Sequence, residues 1–220
     1  MEQKKVLGIV LSASPISEFD KRVVILTKEM GKVSAFAKNS RKINNTLSAS
    51  TIPLTYGEFI ILEGRNSNNI ISASGQNHFP KLHEDLEKAC YGMYFLELAD
   101  YFTREYNDER EMLKLLYQSL RALESGKFDI KLVRAVFEWR TLVINGLYPD
   151  ITDIEFIRKY KLSESAVYTL QFVSSIIIEK LYTFNLNEKT LSELVNVTAS
   201  ELKKHVDRPM KSLETMKDLI

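Results

Sequence analysis

Over residues 1–80 the apolar positions fall in short runs with the spacing of strands. Val6 to Ala13 is apolar at nearly every position, as expected of a strand covered on both faces or curled into a small barrel. Asp20 to Thr27 follows the turn-like Ser14-Pro15, and Lys28-Glu29-Met30-Gly31 makes a tight reversal into Lys32 to Lys38, a hairpin. Asn39 to Ser50 has no apolar period and reads as a loop rich in Ser, Asn and cations. Pro53 to Glu63 resumes the strand pattern, and Gly64 to Asn69 turns the chain into Ile70 to Ser74. Five short strands with hairpin-length connections are too few for most sandwiches and suit a partly open barrel of the OB type, with an SH3-like barrel as the alternative.

From Pro80 onward the period becomes helical. Leu82, Leu86, Ala89, Met93, Tyr94 and Leu96 share one broad face of a helix running to about Arg104. Asn107 and Asp108 are candidate caps for the next, striped by Met112, Leu113, Leu116, Leu120 and Leu123 and stopped at Gly126. Asp129 to Asn145 is a third, ending at Gly146. Ser163 to Tyr182 is a fourth, and shorter helices begin near Asn187 and at Thr198, which has capping-box spacing with Glu201. The expected class is α+β: a five-stranded OB-type β-barrel over residues 1–80, then an all-α unit over 81–220.

Composition changes this picture little. The apolar and charged fractions, 45% and 27%, are those of a globular chain able to bury a core. The single cysteine, Cys90, excludes an internal disulfide and reads as a small inert hydrophobe, so a reducing cytoplasm is expected. No run approaches the roughly 20 apolar residues of a spanning helix, so no membrane is expected. Charge is unevenly placed: residues 1–80 carry 10 Lys/Arg against 6 Asp/Glu, and residues 81–220 carry 20 against 23. A basic first unit beside an acidic second one points to a polyanion at the barrel.

Chemistry-bearing constellations are sparse. His78, His83 and His205 are scattered, and no nucleophile motif, phosphate loop or metal spacing occurs, so no catalytic residue, metal or cofactor is expected. Carboxylates at Glu97 with Asp100, or Asp150 with Asp153, have the spacing of caps and solvated faces. The segment Ala37 to Asn45 is more informative, because Lys38, Arg41 and Lys42 crowd an irregular stretch whose amides can also donate to phosphate. A flexible charged loop without a ligand is the alternative. Lys21, Arg22, Lys28 and Lys32 add charge on the hairpin. Phe36, Tyr56 and Phe59 lie on strands where alternation could turn them outward for base stacking, or inward as core. On the third helix, Arg134, Phe137 and Arg140 combine cations with an apolar anchor, a composition suited to an acidic peptide with an apolar end or simply to core.

At these residues the sequence resembles the RecO family of bacterial recombination mediators. The resemblance runs through Gly8-Ile9-Val10-Leu11, Phe19-Asp20-Lys21, Val24 to Thr27, Gly31-Lys32-Val33 and Ala37 to Lys42. It continues through Tyr94 to Leu98, Phe137 to Arg140, Gly146 to Pro149 and Arg208 to Leu213. It implies an OB barrel followed by a helical domain, and a non-enzymatic protein that binds single- and double-stranded DNA and anneals complementary strands. As partners it implies RecR and the C-terminal tail of single-strand binding protein, with RecA served indirectly, in the cytoplasm at the nucleoid. Many similar proteins carry a four-cysteine zinc module after the position of Tyr148-Pro149. Here Asp150 to Leu162 contains neither cysteine nor histidine. An RNA-directed OB protein and a helical scaffold without nucleic-acid activity are the competing readings.

Overall fold

The computed structural model describes residues 2–219, with side chains to Thr215. The strands β1 (Glu2–Pro15), β2 (Lys21–Thr27), β3 (Gly31–Ala37), β4 (Tyr56–Glu63) and β5 (Asn68–Asn77) form a closed barrel in the order β1-β2-β3-β5-β4. All neighbours are antiparallel except β3 and β5, which run parallel through Ala35↔Asn68 and Phe36↔Asn69. This is the OB-type arrangement, and it displaces the SH3-like alternative.

The barrel closes because β1 serves two neighbours. Its first half pairs with β4 from Glu2↔Glu63 to Ile9↔Tyr56, its second half with β2 from Gly8↔Thr27 to Pro15↔Lys21, and a bulge lies between Val10 and Ser12. Such an extra residue bends the strand where a small barrel turns its corner. At the crossing, a Cβ on Gly8 would stand 2.4 Å from the Leu26 carbonyl oxygen, so only glycine fits. Val6, Val10, Val23, Ile25, Val33, Ala35, Phe59 and Ile61 fill the interior.

The helices are α1 (Leu47–Ser50), α2 (Pro80–His83), α3 (Leu86–Phe102), α4 (Arg110–Ser125), α5 (Ile130–Ile144), α6 (Ile154–Tyr160), α7 (Glu164–Ser175), α8 (Glu188–Lys203) and α9 (Lys211–Leu219). Their core is continuous with the outside of the barrel: Ile9, Leu11, Leu26 and Leu54 pack in one cluster with Phe79, Tyr91, Phe95, Met112 and Leu116. Helix α5 lies at its centre, with every residue from Ala135 to Leu142 buried. Among the described residues, no helix is long and apolar enough to cross a membrane.

Several boundaries differ from the periodic reading, each for a local reason. The expected helix from Leu82 to Arg104 is broken because the Asp85 side chain accepts from the Lys88 amide and starts α3 afresh, which leaves Leu86 and Met93 exposed. The loop from Asn39 contains α1 at its end. Helix α6 arises within Asp150 to Leu162, capped by Asp153 and closed by Lys161 at φ 52°. Helix α7 stops at Ser175, where Ser174 and Ser175 turn their hydroxyls back onto Leu170 and Gln171 carbonyls ahead of a β-branched Ile run. Thr198 starts nothing: it lies inside α8, its hydroxyl bonded to Glu138 Oε2 at 3.0 Å.

Candidate nucleic-acid interface

The cationic segment after β3 is folded against the β1–β2 loop, whose backbone leaves acceptors pointing outward. Asp20 Oδ1 accepts from the Asn39 amide at 2.7 Å, and Asn39 takes φ 55°, a left-handed position that asparagine tolerates. Arg41 donates its backbone N–H to the Phe19 carbonyl and its Nη1 to the Ser17 carbonyl at 2.7 Å. Lys42 Nζ lies 4.9 Å from the centroid of the Phe19 ring. Ser40 is buried and donates to the Ala37 carbonyl. The loop is therefore shaped, although Lys38, Arg41 and Lys42 stay exposed.

Strand register decides which hairpin cations join it. Lys21 pairs with Ala37 and Arg22 with Phe36, which puts both beside the loop. Lys21 faces the barrel mouth, where burial first and Arg41 second lower its ammonium below the usual lysine value. Arg22 faces out and donates Nε to Ser34 Oγ at 2.8 Å. Lys28 is exposed, but on the turn at the other end of the hairpin, about 20 Å away at strand rise. Lys32 points outward onto α3, with Nζ 2.6 Å from the Asp100 carbonyl and 3.1 Å from its carboxylate, and is held as a tie between barrel and helices. Five of the seven expected DNA-facing cations thus gather at one end of the barrel.

Of the three aromatics, only Phe36 meets the expectation of an outward face; on β3 it alternates with buried Val33, Ala35 and Ala37. Phe59 is fully buried inside the barrel, and Tyr56 packs on Tyr117 of α4 at 4.5 Å, so neither offers a ring to a base. The grouping on α5 is corrected as well. Phe137 is fully buried and stacks on Phe95 at 4.3 Å, while Arg140 is buried with Nη1 on the Val173 and Ser174 carbonyls and Nε without a partner among the described residues. Arg134 alone reaches a surface cleft, its Nε 2.7 Å from Glu138 Oε1.

Residues not singled out by the sequence complete the barrel face. Arg65, on the β4–β5 loop, and Tyr106, on the loop between α3 and α4, line a groove of about 520 Å³ with Arg22, Phe36 and Asn68. Arg65 could have been found as a cation in a connection that borders the binding face of an OB barrel. Tyr106 had no signal, because its place follows from the docking of one unit on the other.

The suspected carboxylates are absorbed by structure. Glu97 accepts from Lys211 and Ser212 at the start of α9, Asp100 meets Lys32, Asp150 accepts from Thr152, and Asp153 caps α6. Cys90 is half-buried. Among the described residues, no three His, Cys, Asp or Glu side chains gather as metal ligands.

Comparison with known proteins agrees with this architecture. The profile of the family described as Recombination protein O N terminal matches residues 1–79, and that of Recombination protein O C terminal matches residues 83–153 and 156–214. The chain belongs to the RecO family. The DNA repair protein RecO of Clostridium kluyveri is 27% identical over 241 residues, covering 98% of this chain and 94% of that protein. The RecO of Caldicellulosiruptor bescii is 35% identical over 152 residues, covering 69% and 62% of the two chains, and that of Acetivibrio thermocellus 25% over 247 residues, covering 100% and 98%. The break in the C-terminal match falls at the start of α6, within the segment Asp150 to Leu162 that lacks cysteines.

Proposed function

We propose that this protein acts in DNA repair and recombination as a mediator that grips the sugar-phosphate backbones of single- and double-stranded DNA and anneals complementary strands. The observation that carries the reading is the gathering of Lys21, Arg22, Lys38, Arg41 and Lys42 at one end of the barrel, on loops held in shape by Asp20 and the Ser17 and Phe19 carbonyls. Annealing requires two approaching backbones to be neutralised without reading their bases, and exposed cations on a shaped edge suit that task. The role is non-enzymatic. The most strongly perturbed groups, Tyr182 with its hydroxyl pushed up by burial and Tyr94 beside Glu138, lie in the helical core away from this face.

On this reading the protein works in the cytoplasm at the nucleoid with RecR, and helps RecA onto strands coated by single-strand binding protein. The acidic tail of that protein is matched by the cleft that Arg134 shares with Lys203, Arg208, Met210 and Leu213, where cations border apolar side chains.

Titration of labelled single-stranded DNA, and of RNA of the same sequence, across salt concentrations tests the proposal. Salt-sensitive, sequence-tolerant DNA binding is expected. Equal or tighter RNA binding would favour an RNA-directed barrel, and absence of DNA binding a scaffold.

A further inference from the structure

The loop between α3 and α4 does more than join two helices. Glu105 bridges to Gly31 and Lys32 of β3, and the Lys32 amide donates to the Arg104 carbonyl at 3.3 Å, so this loop lies along the barrel. Tyr106 follows at φ 62°, a left-handed conformation uncommon for a bulky side chain and found where the surroundings impose it, often at ligand sites. Tyr106 is 64% exposed, although its hydroxyl accepts from Nδ2 of Asn68, a residue only 8% exposed. The same Nδ2 donates to the Ser34 carbonyl at 3.2 Å, which fixes the amide between β3 and Tyr106.

Phe36, half-buried and outward-facing, lines the same groove as Tyr106. Arg22 and Arg65 line it as well, and Arg22 donates through its Nε to Ser34 Oγ. Glu105 lines the groove too, and its carboxylate disfavours a phosphate beside it, whereas Arg22 and Arg65 favour one. Two aromatic faces with cations beside them match the parts of an unpaired nucleotide. A duplex could not use them, because its bases are already stacked.

We propose that the groove between Phe36 and Tyr106 is a nucleotide subsite for single-stranded DNA, with the base on the aromatic rings and its phosphate on Arg22 and Arg65. The helical unit thereby contributes directly to strand binding, and the protein distinguishes single strands from duplex at this point. This inference rests on the reading of the barrel as a DNA-binding face.

The test compares a short thymidine oligonucleotide with an abasic strand of equal length, each titrated against the full chain at several salt concentrations. Wild type should prefer the base-bearing strand. Tyr106→Ala should weaken that strand about tenfold and leave the abasic strand and the salt slope unchanged, whereas Tyr106→Phe should keep the preference. Phe36→Leu, which retains an apolar side chain but no π face, repeats the test should Tyr106→Ala disturb the joint. Arg65→Ala should weaken both strands and flatten the slope by about 0.7. Equal loss on both strands for Tyr106→Ala and Phe36→Leu, or no loss on the base-bearing one, would overturn the subsite while the DNA reading stands. Absence of salt-sensitive binding by wild type would remove both.

Discussion

Lys32 on β3 donates to both the carbonyl and the carboxylate of Asp100, near the end of α3, 68 residues away in sequence. A cation that a hairpin pattern offers to DNA is thereby spent on holding the barrel to the helices. With the lysine side chain 16% and the carboxylate 36% exposed, the pair is neither free in solvent nor fully desolvated, so its contribution is about 1 kcal/mol. Lys32→Met should lower Tm by about 2–4 °C in a chain of this size and leave the salt dependence of DNA binding as it was. A flattened salt slope with unchanged Tm would instead make Lys32 a phosphate contact.

Phe137 tests the interior of the helical unit. It is fully buried and stacks on Phe95 of α3, in the stretch of α5 from Ala135 to Leu142 where every residue is buried. Phe137→Ala should cost about 3–5 kcal/mol through lost transfer energy and the cavity left behind, and lower Tm by roughly 10 °C. Denaturant melts measure it directly. Loss of tail-peptide affinity without loss of stability would return Phe137 to the surface role that its sequence neighbours suggested.

What could be read along the chain was set by short-range periodicity. The strand alternation of Lys32 to Lys38 placed the hairpin correctly, and the parity that buries Val33 turns Phe36 out. The same pattern could not say that Phe59 points into the barrel, because Phe59 to Leu62 is apolar at every position although only Phe59 and Ile61 are fully buried. Helix α5 was legible as a helix, but whether Arg134, Phe137 and Arg140 form a surface grouping or core was not, since a helix covered over most of its length carries no polar stripe to separate the two. The barrel-end cluster was half visible: Lys38, Arg41 and Lys42 are close in sequence and Arg65 sits on the barrel's own β4–β5 connection, whereas Tyr106 reaches the face through tertiary docking alone.

Helix α9 is anchored through one carboxylate. Glu97 accepts the Lys211 amide at 3.0 Å, the Ser212 amide at 3.0 Å and the Ser212 hydroxyl at 2.6 Å. Partial burial pushes this carboxyl up, but the Ser212 and Lys211 donors outweigh it and hold the group below the usual glutamate value. A carboxyl depressed on folding lends its stability above the unfolded value, about 4.3, and loses it as pH falls through the folded one. Glu97→Gln should therefore cost about 1 kcal/mol at neutral pH, discounted for its partial exposure. The gap from wild type should close as pH drops below about 4. Urea melts of both proteins from pH 7 to 3 measure it, and a gap constant with pH would mean that the amide replaces the carboxylate at no electrostatic loss.

The cluster at the barrel end makes the most discriminating prediction, because position separates cations of equal charge. Lys38, Arg41 and Lys42 lie on the shaped loop with Lys21 and Arg22 beside them, while Lys28 is exposed at the opposite end of the hairpin. On single strands each neutralised phosphate contributes about −0.7 to the slope of log K against log salt, so Lys38→Ala, Arg41→Ala and Lys42→Ala together should flatten it by about 2. DNA affinity and the rate of strand annealing should fall together. Lys28→Ala removes the same kind of charge and should leave the slope in place. Stability should change little: the triple variant loses the Arg41 bond to Ser17 and the Lys42 contact with Phe19, both exposed, worth together about 1 kcal/mol. The backbone bonds of Asn39 to Asp20 and of Arg41 to Phe19 survive the truncations, so the loop keeps its shape without its cations. An unchanged slope with normal annealing in the triple variant would move the DNA path off this face, and an equal effect from Lys28→Ala would mean that net charge, not the arrangement of the loop, does the binding.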